Sequence, residues 1–451
     1  MAVLPTVPPE APRTAPGVHL RRLWSVRPAS DREAGDAIVA NFILHWFPAR
    51  SLKESMEWRY SLWLGTISTA LLALLVASGI PLLFLHIPSV ERAYGSVKDI
   101  ENVVTFGSWM RAVHRLGAHL MVATVFLHLV RVFLTGAYKN GVGRGQNREW
   151  NWVIGVVMFL VTLFLSFTGY LLPWDQLAYW AVTVGTNIAS AVPLVGAQMR
   201  ELLLGGRAID QPTLTRFHVL HVIVLPGVLG VLFAYHMWRI RKDGGLARAD
   251  HATRLPAPAE VPAERTRTKT YSLLGVARGQ GPLIRASSVE RPETTVSSVP
   301  ELTRRVALVM LGTVAVISIL AVFVPSPLEE PANPLVTPNP AKAPWYFLWL
   351  QEIVTDTTIR IGSFTVNGAL VGGVILPGLL VALLVVWPWL DRSPAAAAGR
   401  WFPRSRRTQN AVFLVIVAIV LLLTIVGTFS RGPYWHLYWP WQAWPEMPTR
   451  F

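Results

Sequence analysis

Seven stretches of this 451-residue chain are each long and apolar enough to cross a lipid bilayer, near residues 60–85, 109–134, 151–172, 215–239, 304–324, 365–390 and 410–429. A helix needs about 20 mostly apolar residues to cover the hydrocarbon core. Inside lipid each backbone amide must bond within its own segment, so the expected class is an all-α integral membrane protein. Residues 243–300, rich in Pro, Arg, Thr and Ser without an apolar period, read as a linker between a four-span part, 56–242, and a three-span part, 301–430. A tail follows at 431–451 and an extension precedes at 1–55.

Charge sets the expected orientation. The formal net charge is +15, but the basic residues lie mostly between the spans rather than in a soluble basic region, so nucleic acid is not the expected partner. Lys139, Arg144 and Arg148 follow the second span, Arg239, Arg241, Lys242 and Arg248 the fourth, and Arg392, Arg400, Arg404, Arg406 and Arg407 the sixth. These loops are expected on the cytoplasmic side. Arg13, Arg21, Arg22 and Arg27 then place the N-terminus inside, and seven spans place the C-terminus at the outer face. The N-terminus lacks the apolar core of a secretory signal. Residues 34–55 read either as an amphipathic helix at the lipid surface or as an ordinary surface helix.

The chain has no cysteine, which excludes disulfides, thiolate-bound iron–sulfur clusters and thioether-attached haem within it. A metal here must rely on other donors. On the second span His114 and His128 stand 14 residues apart, just under four turns, so both rings leave nearly the same face about 21 Å apart. On the fourth span the interval from His221 to His236 is 15, a divergence of about 60° on an ideal helix. Pro226 between them removes one backbone hydrogen bond and gives the helix a place to bend or unwind. If the third span is single, the second and fourth run in the same direction, and depth pairs His114 with His221 and His128 with His236. Two neutral imidazoles on either side of an iron suit a low-spin electron-transfer haem. Proton-relay histidines of a transporter are the competing reading of the same residues. His119 and His218 fall outside the matched spacing.

The interval of 14 recurs as Gly65 and Gly79 on the first span, and as Gly155 and Gly169 on the third. Glycine admits a bulky planar group to the backbone, so these four are expected to clear two stacked haems; close helix packing is the alternative. Arg111 and Arg131, three residues outside the span's two histidines, are candidates for haem propionates or for ordinary snorkelling.

With these residues in view, the segments RAVHRLGAH, FLHLVRVFLTGAYK, TGYLLPWDQLAYWAV, TLTRFHVLHVIVLP and AYHMWRIRKDGG resemble, in order and spacing, the b6 type of cytochrome b. PLEEPANPLVTPNPAKAPWYFLWLQE resembles the subunit IV part, here on the same chain. The resemblance implies two non-covalent b-type haems joining a quinol-oxidising site at the outer face to a quinone-reducing site at the cytoplasmic face, with proton translocation. It also implies a Rieske-type iron–sulfur protein and a c-type cytochrome, or equivalent acceptors, as partners, and a homodimer. Carried over by position, the outer site takes Gly169, Tyr170, Pro173 and Trp174 with Trp345 and Tyr346. The inner site takes Arg241, with Asp243 as a proton donor; topology-setting charge is the alternative for Arg241. The family's Pro-Glu-Trp-Tyr reads Ala343-Pro344-Trp345-Tyr346, so the usual outer-site glutamate is missing. Glu352, with Asp356 second, is the expected replacement for that base, against an interfacial carboxylate. A haem-bearing anchor for a dehydrogenase is the other competing function, and it gives no reason for the PWYF loop.

Overall fold

A computed structural model describes residues 50–140, 147–242 and 295–445. Residues 34–49, Asp243, most of the linker and the end of the tail therefore lie outside the described residues; the described end of the helix expected at 34–55 is instead a strand, Arg50–Leu52, followed by a 3-10 turn, Lys53–Met56. The chain divides into two compact units, Met1–Leu62 with Arg254–Leu308, and Trp63–Thr253 with Val309–Phe451. In the first, β1 (Arg50–Leu52) pairs antiparallel with β2 (Thr295–Ser297), and Arg305 donates to the Met56 carbonyl at 3.1 Å.

All seven expected spans are helices: α1 Leu64–Leu85, α3 Gly107–Thr135, α4 Arg148–Leu171, α7 Gln211–Arg241, α8 Ser298–Phe323, α10 Gly368–Leu390 and α11 Arg404–Ser430. Shorter helices α2 (Ala93–Asn102), α5 (Gln176–Ser190), α6 (Gly196–Leu204) and α9 (Trp345–Asp356) lie in the connections at one end of the bundle. Between 6% and 33% of each span's most apolar window is buried, so most of that surface is left for a lipid solvent. Phe84, Phe164, Val231, Leu311 and Leu379 are among the apolar side chains left exposed.

Local chemistry starts and stops the helices. Gly136, with φ 61°, ends α3 by donating to the Phe133 and Val132 carbonyls. Asp175 caps α5 by accepting from the Ala178 amide at 2.9 Å, and Asp210 caps α7 in a reciprocal box with Thr213. In α7 the turn Leu220–Val224 is π-helical and ends two residues before Pro226. A π-turn takes an extra residue into one revolution, which offsets the angular excess of a 15-residue interval over a 14-residue one. The unwinding expected of Pro226 takes this form. A second π-turn, Val371–Ile375, precedes Pro377 in α10.

At the other end of the bundle a buried ion pair ties α3 to the three-span part. Arg406 and Asp391 both have fully buried side chains, 3.1 Å apart. Tyr138 Oη donates to Asp391 at 2.7 Å and accepts from Arg406 and from the Trp387 indole, while Arg406 also donates to the Phe133 carbonyl at 2.9 Å. Lys139 donates to the Asp391 carbonyl at 2.7 Å. Lys139 and Arg406, expected as loop charges that set topology, are thus internal bonding groups. A Cβ at Gly136 would lie 2.7 Å from Arg406 Nη1, a second reason for glycine there.

Against burial, which raises it, hydrogen bonds from the Ser393 side chain and amide and from Tyr138, with the nearby Lys139 charge, hold the Asp391 carboxyl well below its ordinary value, at about 2. A lowered carboxyl adds stability that is complete above its unfolded value, about 3.9, and is lost as the pH falls through the folded one. Arg406→Met removes the fully buried partner of Asp391, leaving Lys139 at 3.5 Å as its remaining counter-charge, and is expected to cost about 3 kcal/mol. Thermal unfolding in detergent checks this, and the wild type's advantage over Arg406→Met should narrow as the pH is lowered from about 4 toward 2.

Candidate functional site

One of the two histidine pairs expected from depth is in ring contact, and the members of the other are within electrostatic reach of each other. His114 of α3 and His221 of α7 have ring centroids 6.2 Å apart, with ring planes 76° to one another. Two imidazoles bound to one metal from opposite sides, each nitrogen about 2.0 Å from it, have centroids about 6 Å apart. His236 lies within electrostatic reach of His128.

Hydrogen bonds orient the first pair. His221 Nδ1 lies 3.0 Å from the Leu165 carbonyl, which only accepts, so Nδ1 carries the proton and Nε2 keeps its lone pair. His114 Nδ1 lies 3.0 Å from Ser78 Oγ, whose single proton is directed to the Leu74 carbonyl at 2.7 Å; His114 Nδ1 is therefore the donor here too. A ligand nitrogen opposite an N–H held this way is oriented for a metal. In the second pair His128 Nδ1 is buried without a protein hydrogen-bond partner. His236 turns toward the Asn151 backbone at a geometry short of a formed bond.

Each periodic glycine meets one of these rings. A Cβ at Gly79 would lie 3.2 Å from His114 Cε1, at Gly65 3.4 Å from His128 Cε1, at Gly155 3.9 Å from His236 Cε1, and at Gly169 only 2.4 Å from His221 Cε1. All four glycines thus stand against an imidazole edge. Among the described residues no three His, Cys, Asp or Glu converge. The donor set is two neutral imidazoles per depth, held in glycine cradles, which fits the axial ligation of a haem iron.

The flanking arginines divide. Arg111 binds Glu101 at 2.7 Å and the Ser326 and Pro327 carbonyls at 2.6 and 3.1 Å, so its guanidinium is engaged by the protein, against its expectation as a propionate partner. Arg131 is buried, within electrostatic reach of His128. Arg241 ends α7.

Near the His114 pair the quinol-site candidates assemble around the end of α4 and the start of α9. Trp174 is buried with φ 54°, a left-handed conformation that costs a non-glycine residue about 1 kcal/mol, and follows Pro173 directly. Its carbonyl accepts from the Ala332 amide at 3.1 Å, and Gln176 binds the Asn333 amide and the Val336 carbonyl. The 325–344 connection is pinned onto the TGYLLPWDQ segment by these bonds. Tyr346 is buried, hydrogen-bonded to Ser166, and burial pushes its phenol up to about 12. Tyr170 and Tyr346 both lie within electrostatic reach of Arg115, as does Asp175. Asp175 sits above its ordinary value because burial outweighs the Ala178 and Glu329 amides and the nearby Arg111 and Arg115.

Glu352 is elsewhere occupied. It is 1% exposed and both carboxylate oxygens are engaged by the Arg431 guanidinium, which also reaches Asp356 at 3.2 Å. Arg431 closes the end of α11, so this ion pair fastens α9 to α11, which weighs against either acid as the missing base. His119 and His218, outside the matched spacing, both have partners. His119 Nδ1 accepts from the Trp345 indole at 3.1 Å, and its ring lies 5.9 Å from that of Tyr346. His218 stacks on His86 at 5.5 Å, and His86 Nε2 donates to the Leu172 carbonyl at 3.0 Å. Spacing within one helix carries no signal for these partners, because they come from other segments.

Residues 50–244 match the family described as cytochrome b/b6/petB, and 331–440 the C-terminal family described as cytochrome b(C-terminal)/b6/petD. Cytochrome b6 of Synechococcus elongatus is 44% identical over 181 residues, which cover 40% of this chain and 81% of that protein. Cytochrome b6 of a Picosynechococcus is 42% identical over 40% of this chain and 79% of its own. A structure titled hyperthermophilic respiratory complex III shares the fold, with TM-score 0.62 and 24% identity over 82% of this chain and 84% of that one.

The glycine geometry generates a graded expectation. Gly169→Ala should displace His221 and lower the b-type absorption of the purified protein, with Gly79→Ala milder and Gly65→Ala milder again. Gly155→Ala should leave the spectrum unchanged, since its Cβ makes ordinary contact; equal loss in all four would mean that the glycines clear a haem plane instead.

Proposed function

Since the chain belongs to the cytochrome b/b6 family, we propose that it is the dihaem membrane subunit of a bc- or b6f-type complex, oxidising quinol at the His114 end and reducing quinone at the His128 end. Family members are catalytic subunits of electron-transfer quinol oxidoreductase complexes, and the seven apolar helices make this one multi-pass. The observation that carries the reading is the contact of two imidazoles, His114 with His221 at 6.2 Å, repeated about 21 Å along the same helix by His128 with His236 within its electrostatic reach. Two b-type haems held by these pairs supply one-electron transfer across the membrane when bound. With no cysteine, a thioether-linked haem has no attachment point on this chain.

The protein's own part is positioning and water exclusion. Leu165 and Ser78 fix the tautomers of His221 and His114, and the glycines bring both rings against helix backbones. At the outer site Tyr170 and Tyr346, both within electrostatic reach of Arg115 and close to Trp345 and the pinned 325–344 connection, offer hydroxyls to a quinol head group. A phenol at about 12 stays protonated at neutral pH and serves as a hydrogen-bond group, not a base. At the opposite end Arg241 offers positive charge toward quinone; Asp243, assigned as its proton donor, lies outside the described residues. The basic loops put this end at the cytoplasm with the N-terminus, and the C-terminal tail at the outer face. A Rieske-type iron–sulfur protein and a c-type cytochrome or equivalent take the electron that does not cross, in a complex built on a homodimer.

Redox titration of the purified complex should resolve two b components. His221→Leu should remove one of them and leave the other, while quinol reduces both in the wild type. A single component in the wild type, or none, would sink the dihaem reading.

A further inference from the structure

Resting on the outer-site reading above, we infer that His119 is the base that takes a proton from quinol there. His119 faces away from the iron-ligand pairs and toward α9, where Nδ1 accepts from the Trp345 indole at 3.1 Å and the ring lies 5.9 Å from Tyr346. An indole nitrogen only donates, so Nδ1 holds the lone pair and Nε2 the proton. That lone pair is the acceptor the site otherwise lacks.

The other titratable groups nearby are committed. Glu352 and Asp356 are bound by Arg431. Asp175 accepts from the Ala178 and Glu329 amides and caps α5. Tyr346, pushed up to about 12, stays protonated, and Arg115 has no lone pair to give. The groups that face His119 are Arg115 on its own helix and Trp345 and Tyr346 on α9. Trp345 is 39% exposed, so its indole has room to swing aside and let a quinol hydroxyl donate to the same lone pair.

The step balances with the partners already named. Quinol loses two electrons and two protons to become quinone: one electron would be accepted by the b-type haem that His114 and His221 would hold, and the other by the partner iron–sulfur protein. One hydroxyl breaks its O–H bond to protonate His119 Nδ1, giving an imidazolium that later releases the proton to outer-face water. The second proton leaves with the electron taken by the partner, to water or to that partner.

The test uses the intact complex with a decyl-substituted benzoquinol and an excess of oxidised acceptor, following turnover against pH with haem bands matched. A base must be neutral to act, so the wild-type rate should fall as the pH drops through the imidazole's titration. His119→Gln should slow turnover about 10²-fold and lose that acid limb. His119→Asp should recover part of the rate with the limb moved to lower pH, which a purely structural role of His119 would not produce. Unchanged rate and pH profile in His119→Gln, with quinol still reducing the haems, would overturn the inference and leave the outer-site reading standing. A wild-type complex that does not oxidise quinol would overturn both.

Discussion

Four imidazoles packed against helix backbones are what the rest of this structure depends on. A histidine at bilayer depth is expensive unless it has a partner, and a ring brought against a helix axis needs a neighbour with no side chain. Those requirements place α1 and α4 on either side of the α3–α7 pair, because Gly65, Gly79, Gly155 and Gly169 each stand opposite one ring. Shifting either glycine helix by one residue would bring a side chain where the ring now lies. The bundle's register is therefore set by its polar residues, although apolar surface is what places it in the membrane.

The three-span part is joined to this bundle by polar contacts at both ends. At one, Asp391 and Arg406 are fully buried and share Tyr138 of the first part. At the other, the 325–344 connection is stitched to the end of α4 by backbone amides and by Gln176, while Glu352 and Arg431 brace α9 against α11. Buried ion pairs of this kind contribute less net stability than their geometry suggests, since each charge gives up hydration. They specify one arrangement, because any other leaves a charge unpaired in a medium without water. Holding α9 in one place in turn holds Trp345 and Tyr346 opposite Tyr170 and His119.

Much of the fold could be read along the chain because its determinants are periodic. Apolar runs of about 20 residues mark spans regardless of what surrounds them, and all seven are helices. The 14-residue intervals of His114 to His128, Gly65 to Gly79 and Gly155 to Gly169 report shared faces, which is a property of one helix alone. The 15-residue interval on α7 was legible only as a misfit with Pro226 beside it; the π-turn at Leu220–Val224 is how the backbone absorbs it. Site residues fared less evenly. Trp345 and Tyr346 stand at the start of α9, with Tyr346 within electrostatic reach of Tyr170, whereas the distance of Glu352 along α9 says nothing about Arg431, 79 residues later.

By itself, then, the sequence determined the solvent this protein folds in, the number and limits of its spans, and the histidines available to a metal, because each follows from composition and period within one helix. Only the tertiary structure decided which charges belong to loops and which to the core, what each glycine makes room for, and which histidine turns toward Tyr346. Those outcomes depend on groups brought together from distant parts of the chain. Whether a polar side chain binds, braces or reacts is fixed by what stands across from it, and no local pattern carries that information.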